Sequence, residues 1–439
     1  MRVVPVPGMD FGHWLSSAAG RRPDRVAAQA PGESVSYREL LLRAVRAAGA
    51  LERRSVRRGS RVALLLEPGL PFVEALHGCL LLGAAAVPVD VRLGERERRW
   101  LLRDVELVVD RPLRGDGGVF ELPGPPEAGE PAVVVHTSGT TGAPRPVELT
   151  YGNIRANARG VQRALGLADD ERWLCPLPLS HVGGLMCVLR SAIMATTVAL
   201  GPPRFDAEWT AAALRDAGIT VASLVPTQLQ RLLDLGARPG PELRRILLGG
   251  GPMPRPLLER ARDAGWPVSP SYGLTQACST VTVAEPGDVE TAGRPLPGVG
   301  VAVAGDGEIL VSGPTVHRLG SLRTGDLGRL EPDGRLVVTG RKGDIIVTGG
   351  ENVAPAEVEA VLAAHPAVVE AAVFGRTHPE WGEAVTALVV PRPGAQIDAA
   401  QLQRHCGERL ASFKVPKAVE LVDALPRTES GKVRRADLR

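Results

Sequence analysis

A run of small and hydroxyl-bearing residues follows an apolar segment near position 136. Residues 132–135 have the continuous apolar character of a buried strand, and a polar run comes next: His136, Thr137, Ser138, Gly139, Thr140, Thr141 and Gly142. A turn of this composition lets backbone N–H groups and hydroxyls converge on phosphate oxygens. The Gly-Lys-Ser/Thr ending of a Walker A loop is absent. The run therefore predicts a phosphate-binding turn of another kind, with an ordinary polar turn as the alternative.

Lysine is rare in this chain and confined to its last hundred or so residues. Of the 52 basic side chains only four are lysines, at positions 342, 414, 417 and 432. Lys432 directly follows Ser430 and Gly431 near the end of the sequence. A compact, rotatable ammonium group there could bridge a carboxylate and a phosphate as negative charge develops between them. A solvated lysine of the tail is the alternative.

Three further side chains suit a nucleotide. Tyr272, beside Gly273, offers a flat face for adenine, although an isolated tyrosine more often belongs to a core. Asp326 follows a glycine and can accept hydrogen bonds from two ribose hydroxyls, whereas a Gly-Asp pair is otherwise an ordinary turn. Arg341 could supply a cation to the same nucleotide, with a surface arginine as the alternative.

The segments that must position these residues alternate between apolar strands and amphipathic helices. The pattern predicts strands over residues 61–66, 85–89, 132–136, 219–225 and 245–248, and helices over residues 71–82, 227–235 and 256–264. Such alternation is typical of parallel α/β layers. Between residues 293 and 340 the pattern changes to short strands and turns, which predicts a small β-rich subdomain.

A second unit is predicted after the turn-rich residues 340–343. The pattern there indicates helices over 355–362 and 399–410 and strands over 368–374 and 384–390. We therefore expect a boundary near Arg341, with an N-terminal domain of residues 1–340 and a small, mobile α+β C-terminal domain of residues 341–439 that carries Lys432. The fold class predicted for the whole chain is α/β, with a large N-terminal domain of α/β layers.

Length and composition exclude several classes of function. A chain of 439 residues exceeds one ordinary core. A net charge of +3 without a long basic run gives no electrostatic case for nucleic acid. The longest apolar stretches stop short of a membrane span, and the first ten residues lack a signal pattern. Five scattered cysteines suggest reduced thiols. We expect a cytoplasmic protein with no membrane insertion, and the residues carry no signal for an oligomeric state.

Six segments in order resemble motifs of the adenylate-forming superfamily of acyl-CoA synthetases, nonribosomal adenylation domains and luciferases. Besides the polar run, they are an early structural motif at 82–90, a nucleotide motif at 271–276, a ribose motif at 324–327, a hinge and glycine loop at 340–352, and a lysine loop at 426–432. The resemblance implies that ATP, with Mg²⁺, activates a small-molecule carboxylic acid as an acyl-AMP, and that the acyl group passes to coenzyme A.

The resemblance also implies a role for individual residues. Catalysis is expected from Lys432, Thr275 and His181. His181 lines the acyl pocket of similar CoA ligases, and a buried structural histidine is the alternative. Metal binding is expected from Gln276 and Thr137. ATP is expected to contact Thr137, Ser138, Gly139, Thr140, Thr141, Gly142, Arg145, Gly250, Gly251, Tyr272, Gly273, Asp326 and Arg341.

Three positions depart from the superfamily pattern. Gln276 stands where a glutamate usually helps to hold Mg²⁺, so the site offers an oxygen without a charge. Arg145 and Pro146 replace a common lysine and glycine, which keeps the charge and stiffens the exit of the phosphate loop. Gly343 replaces an acidic or polar hinge residue, and glycine should swing at least as easily.

The residues around the acid site resemble those of one family within the superfamily, the o-succinylbenzoate–CoA ligases of menaquinone biosynthesis. The similar stretches are 222–229, 247–252 and 273–281. That acid has two carboxylates, and the one that does not react must be neutralised in a mostly apolar pocket. Arg190, on an otherwise apolar helix, is the candidate cation, with an arginine that extends to solvent as the alternative.

Four more residues complete the expected substrate site. Ser223 and Thr227 could donate hydrogen bonds to the acid, and Gly349 and Gly350 are expected to shape a channel for the CoA thiol. The segment 381–383 resembles a CoA-ligase motif and favours CoA over a carrier protein. Rival readings are another aryl- or medium-chain acyl-CoA ligase, an amino-acid adenylation domain, and a degenerate, non-catalytic nucleotide-binding protein.

Overall fold

The computed structural model describes residues 13–114, 122–137, 145–318, 320–349, 351–427 and 433–438. Within these residues, strands form four sheets and helices cover them.

The helices of the described residues are short to medium in length. In chain order they are α1 (Trp14–Arg21), α2 (Tyr37–Glu52), α3 (Leu70–Leu82), α4 (Glu95–Leu101), α5 (Tyr151–Leu165), α6 (Val182–Met194), α7 (Ala207–Asp216), α8 (Pro226–Asp234), α9 (Arg255–Asp263), α10 (Pro355–Ala363) and α11 (Ala399–Gly407). None of these helices has the length and apolar character needed to cross a bilayer.

The strands divide between the first and second parts of the chain. The first are β1 (Val26–Ala30), β2 (Glu33–Ser36), β3 (Arg61–Leu64), β4 (Ala85–Pro88), β5 (Leu107–Val109), β6 (Pro131–Thr137), β7 (Arg145–Thr150), β8 (Arg172–Cys175), β9 (Thr197–Leu200), β10 (Val221–Leu224), β11 (Arg245–Leu248) and β12 (Val268–Leu274). The remaining strands are β13 (Ser279–Val283), β14 (Arg294–Pro295), β15 (Gly300–Val303), β16 (Glu308–Ser312), β17 (Ser321–Leu330), β18 (Leu336–Arg341), β19 (Ile346–Thr348), β20 (Glu351–Val353), β21 (Val368–His378), β22 (Gly382–Pro391) and β23 (Ala418–Leu421).

Two sheets with parallel centres form the body of the first 300 residues. One has the strand order β14-β13-β12-β11-β10-β8-β9-β1-β2, and its strands from β12 to β1 run parallel. The other has the order β5-β3-β4-β6-β7, with only β7 antiparallel. Strands such as β4 and β10 are buried along their whole length, as expected for parallel strands covered on both faces. The predicted α/β layers are confirmed.

The predicted change to short strands and turns after residue 293 corresponds to a separate antiparallel sheet. Strands β15, β16, β17 and β18 lie side by side in chain order. This arrangement confirms the small β-rich subdomain. The last of these strands ends at Arg341, where a short 3-10 turn over Lys342–Asp344 begins.

Residues beyond this turn have a hydrophobic core of their own. Strands β19 to β23 form one sheet, against which α10 and α11 pack. The core joins side chains such as Ile346, Val358, Val385 and Leu402, all from this part of the chain. The separate core supports a boundary near Arg341, which stays a prediction.

Candidate active site

The predicted site residues of the first domain lie where neighbouring parallel strands end. His181 follows β8 and occupies the N-cap position of α6, and Thr227 lies in the first turn of α8, after β10. Gly250 and Gly251 follow β11, and Thr275 follows β12. Ligands of open α/β sheets bind outside the carboxyl ends of the strands. The fold therefore brings these residues to the edge where a substrate is expected.

Tyr272 links this edge to the β-rich subdomain. Its hydroxyl donates a 2.8 Å hydrogen bond to Oδ2 of Asp326. Burial, with the nearby Asp326 carboxylate, raises the pKa of Tyr272, so the hydroxyl keeps its proton. The Oδ1 atom of Asp326 lies 3.5 Å from Nε of Arg341, its partner across β17 and β18. Three residues predicted from separate motifs thus form one connected group.

Glycine is required at two positions of this edge. A Cβ on Gly273 would lie 1.8 Å from the backbone oxygen of Ser279, well inside van der Waals contact. Gly250 has a φ of +82°, in the left-handed region that side chains rarely adopt. The backbone therefore runs close to its neighbours here, and only glycine lets it do so.

The turn over Thr275–Ala277 is the expected metal-binding element. The backbone oxygen of Gln276 accepts a 2.9 Å hydrogen bond from the backbone N–H of His317, which fixes the turn. Within the described residues no group of three or more His, Cys, Asp or Glu could hold a metal. Mg²⁺ commonly binds through one or two protein oxygens together with substrate phosphates. The partly buried Gln276 and Thr137 fit that mode of binding.

The predicted phosphate loop lies only partly within the described residues. Thr137 ends β6 and Arg145 begins β7, and the hydroxyl of Thr137 donates to the backbone oxygen of Arg145 over 3.4 Å. Strand β7 also contacts the 275–277 turn. Strand β7, which begins at Arg145, therefore stands beside the turn predicted to bind the metal. The predicted residues Ser138, Gly139, Thr140, Thr141 and Gly142 lie outside the described residues.

Arg190 is buried in the middle of α6, with 1% of its surface exposed. This burial excludes the alternative of an arginine that extends to solvent. Its Nε and Nη2 atoms donate to Oδ1 of Asn157, at 3.2 and 2.7 Å, and Nη2 also donates to the hydroxyl of Thr280 at 3.0 Å. Its guanidinium carbon lies 5.6 Å from the ring centre of Trp173. The arrangement holds the guanidinium plane in one orientation.

The charge of Arg190 has no carboxylate partner among the described residues. No Asp or Glu forms an ion pair with Arg190 there. The ionisable groups that interact electrostatically with its guanidinium are the thiols of Cys187, Cys278 and Cys175. Burial lowers the pKa of Arg190, yet an arginine remains protonated in proteins. The protein therefore contains a buried positive charge that is oriented by hydrogen bonds but paired with no carboxylate of the described residues.

Ser223 contacts Trp173, whose ring also lies near Arg190. Its Oγ accepts a 2.9 Å hydrogen bond from Nε1 of Trp173, and the thiol of Cys187 approaches the same atom at 3.4 Å. Thr227 is partly buried, three residues beyond the end of β10. Both positions are consistent with the predicted acid site, although contact with an acid stays a prediction.

His181 is exposed at the start of α6, so the alternative of a buried structural histidine is wrong. Nearby, Ser180 donates to Oδ2 of Asp90 at 3.2 Å, and Arg92 forms an ion pair with the same carboxylate at 2.6 Å. These contacts join the histidine loop to the end of β4. The exposed imidazole lies at this edge, and its contact with a substrate stays a prediction.

The small unit contributes the remaining predicted residues. Gly349 is exposed, has a φ of +57°, and donates its N–H to the backbone oxygen of Trp381 at 2.9 Å. Lys432 and Gly350 lie outside the described residues. On either side of the lysine segment, Arg427 and Val433 form a β-bridge.

Sequence reasoning missed Asn157 and Trp173, and it gave Thr280, in the similar stretch 273–281, no contact with Arg190. A lone asparagine in an amphipathic helix is typical of a surface position. Nothing in the neighbouring sequence shows that Asn157 faces Arg190, 33 positions later. Two successive positive φ angles, 57° at Cys278 and 84° at Ser279, turn the chain just before Thr280. Non-glycine residues adopt such angles rarely and often near functional sites.

Comparison with known proteins agrees with this geometry. The model of the AMP-binding enzyme family matches residues 15–109 and 112–319, and the model of the AMP-binding enzyme C-terminal domain matches residues 357–432. A 2-succinylbenzoate–CoA ligase of Bacillus cereus (strain Q1) is 37% identical over 97% of this chain and 98% of its own length.

Solved structures of one bacterial enzyme are also similar to the chain. The o-succinylbenzoate CoA synthetase of Bacillus subtilis, in complex with the acyl-adenylate OSB-AMP, is 35% identical, with a TM-score of 0.90 and 98% of each chain covered. The same enzyme with ATP and magnesium gives a TM-score of 0.89 at 35% identity, with 97% of this chain and 99% of that one covered. The two matched family models, the full-length relatives and the residues gathered at the strand ends lead to one conclusion: the chain belongs to the AMP-binding enzyme family.

Proposed function

We propose that this protein is an ATP-dependent acid–CoA ligase that converts o-succinylbenzoate to o-succinylbenzoyl-CoA through an acyl-AMP. The observation that carries the choice of acid is the buried guanidinium of Arg190, which pairs with no carboxylate of the described residues. A buried charge without a partner is strongly unfavourable. A substrate with a second carboxylate supplies the missing partner, and the activity named for the full-length relatives supports the same acid.

The first step joins the acid to the nucleotide. A carboxylate oxygen of the acid attacks the α-phosphorus of ATP in line, a new P–O bond forms, and the bond to the bridging oxygen of pyrophosphate breaks. Asp326 would hold the ribose hydroxyls, and Arg341 and Lys432 would offset the negative charge on the phosphate. Mg²⁺ at Gln276 and Thr137 would neutralise part of the charge on the triphosphate.

The second step transfers the acyl group to coenzyme A. The thiol of CoA attacks the acyl carbon of the mixed anhydride, a C–S bond forms, the C–O bond to AMP breaks, and the thiol proton is released. We assign this step to a second arrangement, in which the small domain turns about Gly343 and the loop at Gly349 and Gly350 approaches the site. Gly343 is exposed, and a Cβ on it would meet no atom within 4 Å, so the surroundings leave room for the turn.

The boundary of the two domains and the compartment belong to the same proposal. We place the large domain at residues 1–340 and the small domain at 341–439, because the core of residues 346 and beyond is separate. We place the protein in the cytoplasm, since its five cysteines are unpaired and buried, as in proteins of a reducing compartment. Small molecules are its expected partners.

The test is a panel of carboxylic acids in a pyrophosphate-release assay with CoA present. We expect release with o-succinylbenzoate, together with AMP and the thioester in equal amounts. Preference for a monocarboxylic aryl or acyl acid would show that the proposed substrate is wrong and that the proposed acid–CoA ligase reaction is right. ATP binding without pyrophosphate release for any acid would indicate a non-catalytic nucleotide-binding protein.

A further inference from the structure

The partners that orient Arg190 are all neutral. Two of its nitrogen atoms donate to the amide oxygen of Asn157, and one of them donates to the hydroxyl of Thr280 as well. Asn157 in turn donates from Nδ2 to the backbone oxygen of Thr280 at 2.9 Å. The Nη1 atom of Arg190 donates to no residue in the described part of the chain.

Elsewhere the same protein pairs its buried charges with opposite charges. The carboxylate of Glu171, whose side chain is fully buried, accepts 2.7 and 2.8 Å hydrogen bonds from Arg244. The largely buried Glu359 pairs with Arg435 at 2.9 Å. Such pairing is the usual solution, because an unpaired buried charge is costly. Neutral acceptors at Arg190 therefore contrast with the charged partners of Glu171 and Glu359 in the described part of the chain.

The two acceptors are held in place by independent elements. Asn157 lies on α5, which begins with a capping box between Thr150 and Asn153 and ends at Gly166 in the left-handed conformation. Thr280 lies on β13, directly after the bend at Cys278 and Ser279. Since the three elements α5, α6 and β13 also pack against one another, the guanidinium is fixed before any ligand binds.

We propose that Asn157 and Thr280 are positioning and specificity-determining residues that orient Arg190 while leaving its charge available. Because both residues are neutral, the charge of Arg190 stays available to the substrate carboxylate that does not react. Nη1 donates a hydrogen bond to that carboxylate. A carboxylate at either position would satisfy the same guanidinium from within the protein and compete with the substrate. This inference rests on the proposed acid–CoA ligase activity.

The test places that competing charge in the protein. We compare the wild-type chain with Asn157→Asp, using o-succinylbenzoate and two monocarboxylate analogues, 4-oxo-4-phenylbutanoate and 2-butanoylbenzoate. For whichever analogue is activated, the variant should keep its kcat/KM within about threefold, while kcat/KM for o-succinylbenzoate falls about 100-fold, the range for a buried charge contact. KM for ATP should stay unchanged.

Gln162→Glu is the matched control, because it adds one negative charge to the same helix without a contact to Arg190 among the described residues. Gln162→Glu should leave kcat/KM unchanged both for o-succinylbenzoate and for the activated analogue. An equal loss with both acids in Asn157→Asp would show a merely structural role and overturn the inference. Unchanged activity with o-succinylbenzoate would overturn it as well.

Thr280→Asp provides a second variant, in which the carboxylate meets Nη2 from the other side. It should show the same selective loss. If neither variant folded, as measured by circular dichroism and Tm, the inference would be wrong, because it assigns the neutral acceptors to ligand recognition rather than to stability. Failure of the wild-type chain to activate o-succinylbenzoate would instead reject the proposed substrate, before any variant is compared.

Discussion

The proposed acid side and the proposed nucleotide side of the site hold their charges in opposite ways. On the acid side, Arg190 is 1% exposed, fixed by neutral groups, and uncompensated by any described carboxylate. On the nucleotide side, the side chains of Asp326 and Arg341 are 19% and 55% exposed and lie 3.5 Å apart as an ion pair. Exposed pairs contribute little free energy and open easily, whereas a buried unpaired charge requires a ligand.

The difference indicates where specificity and motion reside. On the proposed acid side, Arg190 lies among side chains of one hydrophobic core, such as Trp173 and Cys278, so it can select a substrate without moving. The nucleotide side joins the end of β12, the β17–β18 pair and, by proposal, Lys432 of the small domain. Its catalytic arrangement therefore depends on domain position. Four substitutions can break or sharpen this contrast.

Lys432→Ala should have the largest effect. Loss of an ammonium that stabilises the developing charge should lower acyl-AMP formation about 1,000-fold, while thioester formation from supplied acyl-AMP stays within about threefold. Pyrophosphate release and thioester formation, measured separately, check the two steps. Lys414→Ala is the control for pyrophosphate release, since Lys414 forms an ion pair with Glu357 on the small unit. Equal losses in both steps would contradict the two-arrangement model.

Arg190→Met should come next. Removal of the buried cation should lower kcat/KM for o-succinylbenzoate about 100-fold or more, because the second carboxylate would then be buried without a partner. KM for ATP should hardly change, since the two sides are independent in this account. Arg215→Met, at an exposed arginine beside Asp216, is the control. A parallel rise in KM for ATP would break the contrast between the two sides.

Asp326→Asn should have a smaller effect, on the nucleotide side alone. The variant loses the charged carboxylate that is proposed to accept hydrogen bonds from the ribose hydroxyls. KM for ATP should therefore rise about tenfold, as expected for a hydrogen bond to a charged group. KM for the acid should stay near the wild-type value. Asp333→Asn, in the turn between β17 and β18, tests whether any lost carboxylate there has the same effect. A larger change in KM for the acid than in KM for ATP would be inconsistent with the account.

Tyr272→Phe should have the smallest effect. The ring keeps its position, and only the hydrogen bond to Asp326 is lost, which predicts about a fivefold rise in KM for ATP. Tyr37→Phe is the comparison, because the buried hydroxyl of Tyr37 donates to the backbone oxygens of Ser191 and Thr196, outside the site. That control should lower Tm without changing KM for ATP. If KM for ATP rose in Tyr37→Phe and stayed unchanged in Tyr272→Phe, Tyr272 would not belong to the nucleotide site.

The helices and strands were largely predictable because their patterns are local. Residues 71–82 and 227–235 were predicted as helices, and the structure has α3 and α8 over almost the same residues. The order of strands within the sheets was not predictable. Strand β8 lies between β10 and β9, and β1 reaches that sheet through β9, because distant packing decides which strands become neighbours.

The candidate site shows the same division. Motifs of consecutive residues identified Tyr272, Asp326 and Arg341, and the structure joins these three. Asn157 lies in no motif, and Thr280 lies in the similar stretch 273–281 without a role assigned to it, because both residues meet Arg190 only through tertiary packing. An arginine on an apolar helix was a detectable signal, but the neutrality of its partners was not.

A crystal structure of the chain with the acyl-adenylate of o-succinylbenzoate tests the central claim most directly. The account predicts that the free carboxylate lies within hydrogen-bond distance of Nη1 of Arg190, about 2.7–3.0 Å, with Asn157 and Thr280 still holding the guanidinium. A free carboxylate bound to another cation or open to solvent, with Arg190 left unpaired, would contradict it.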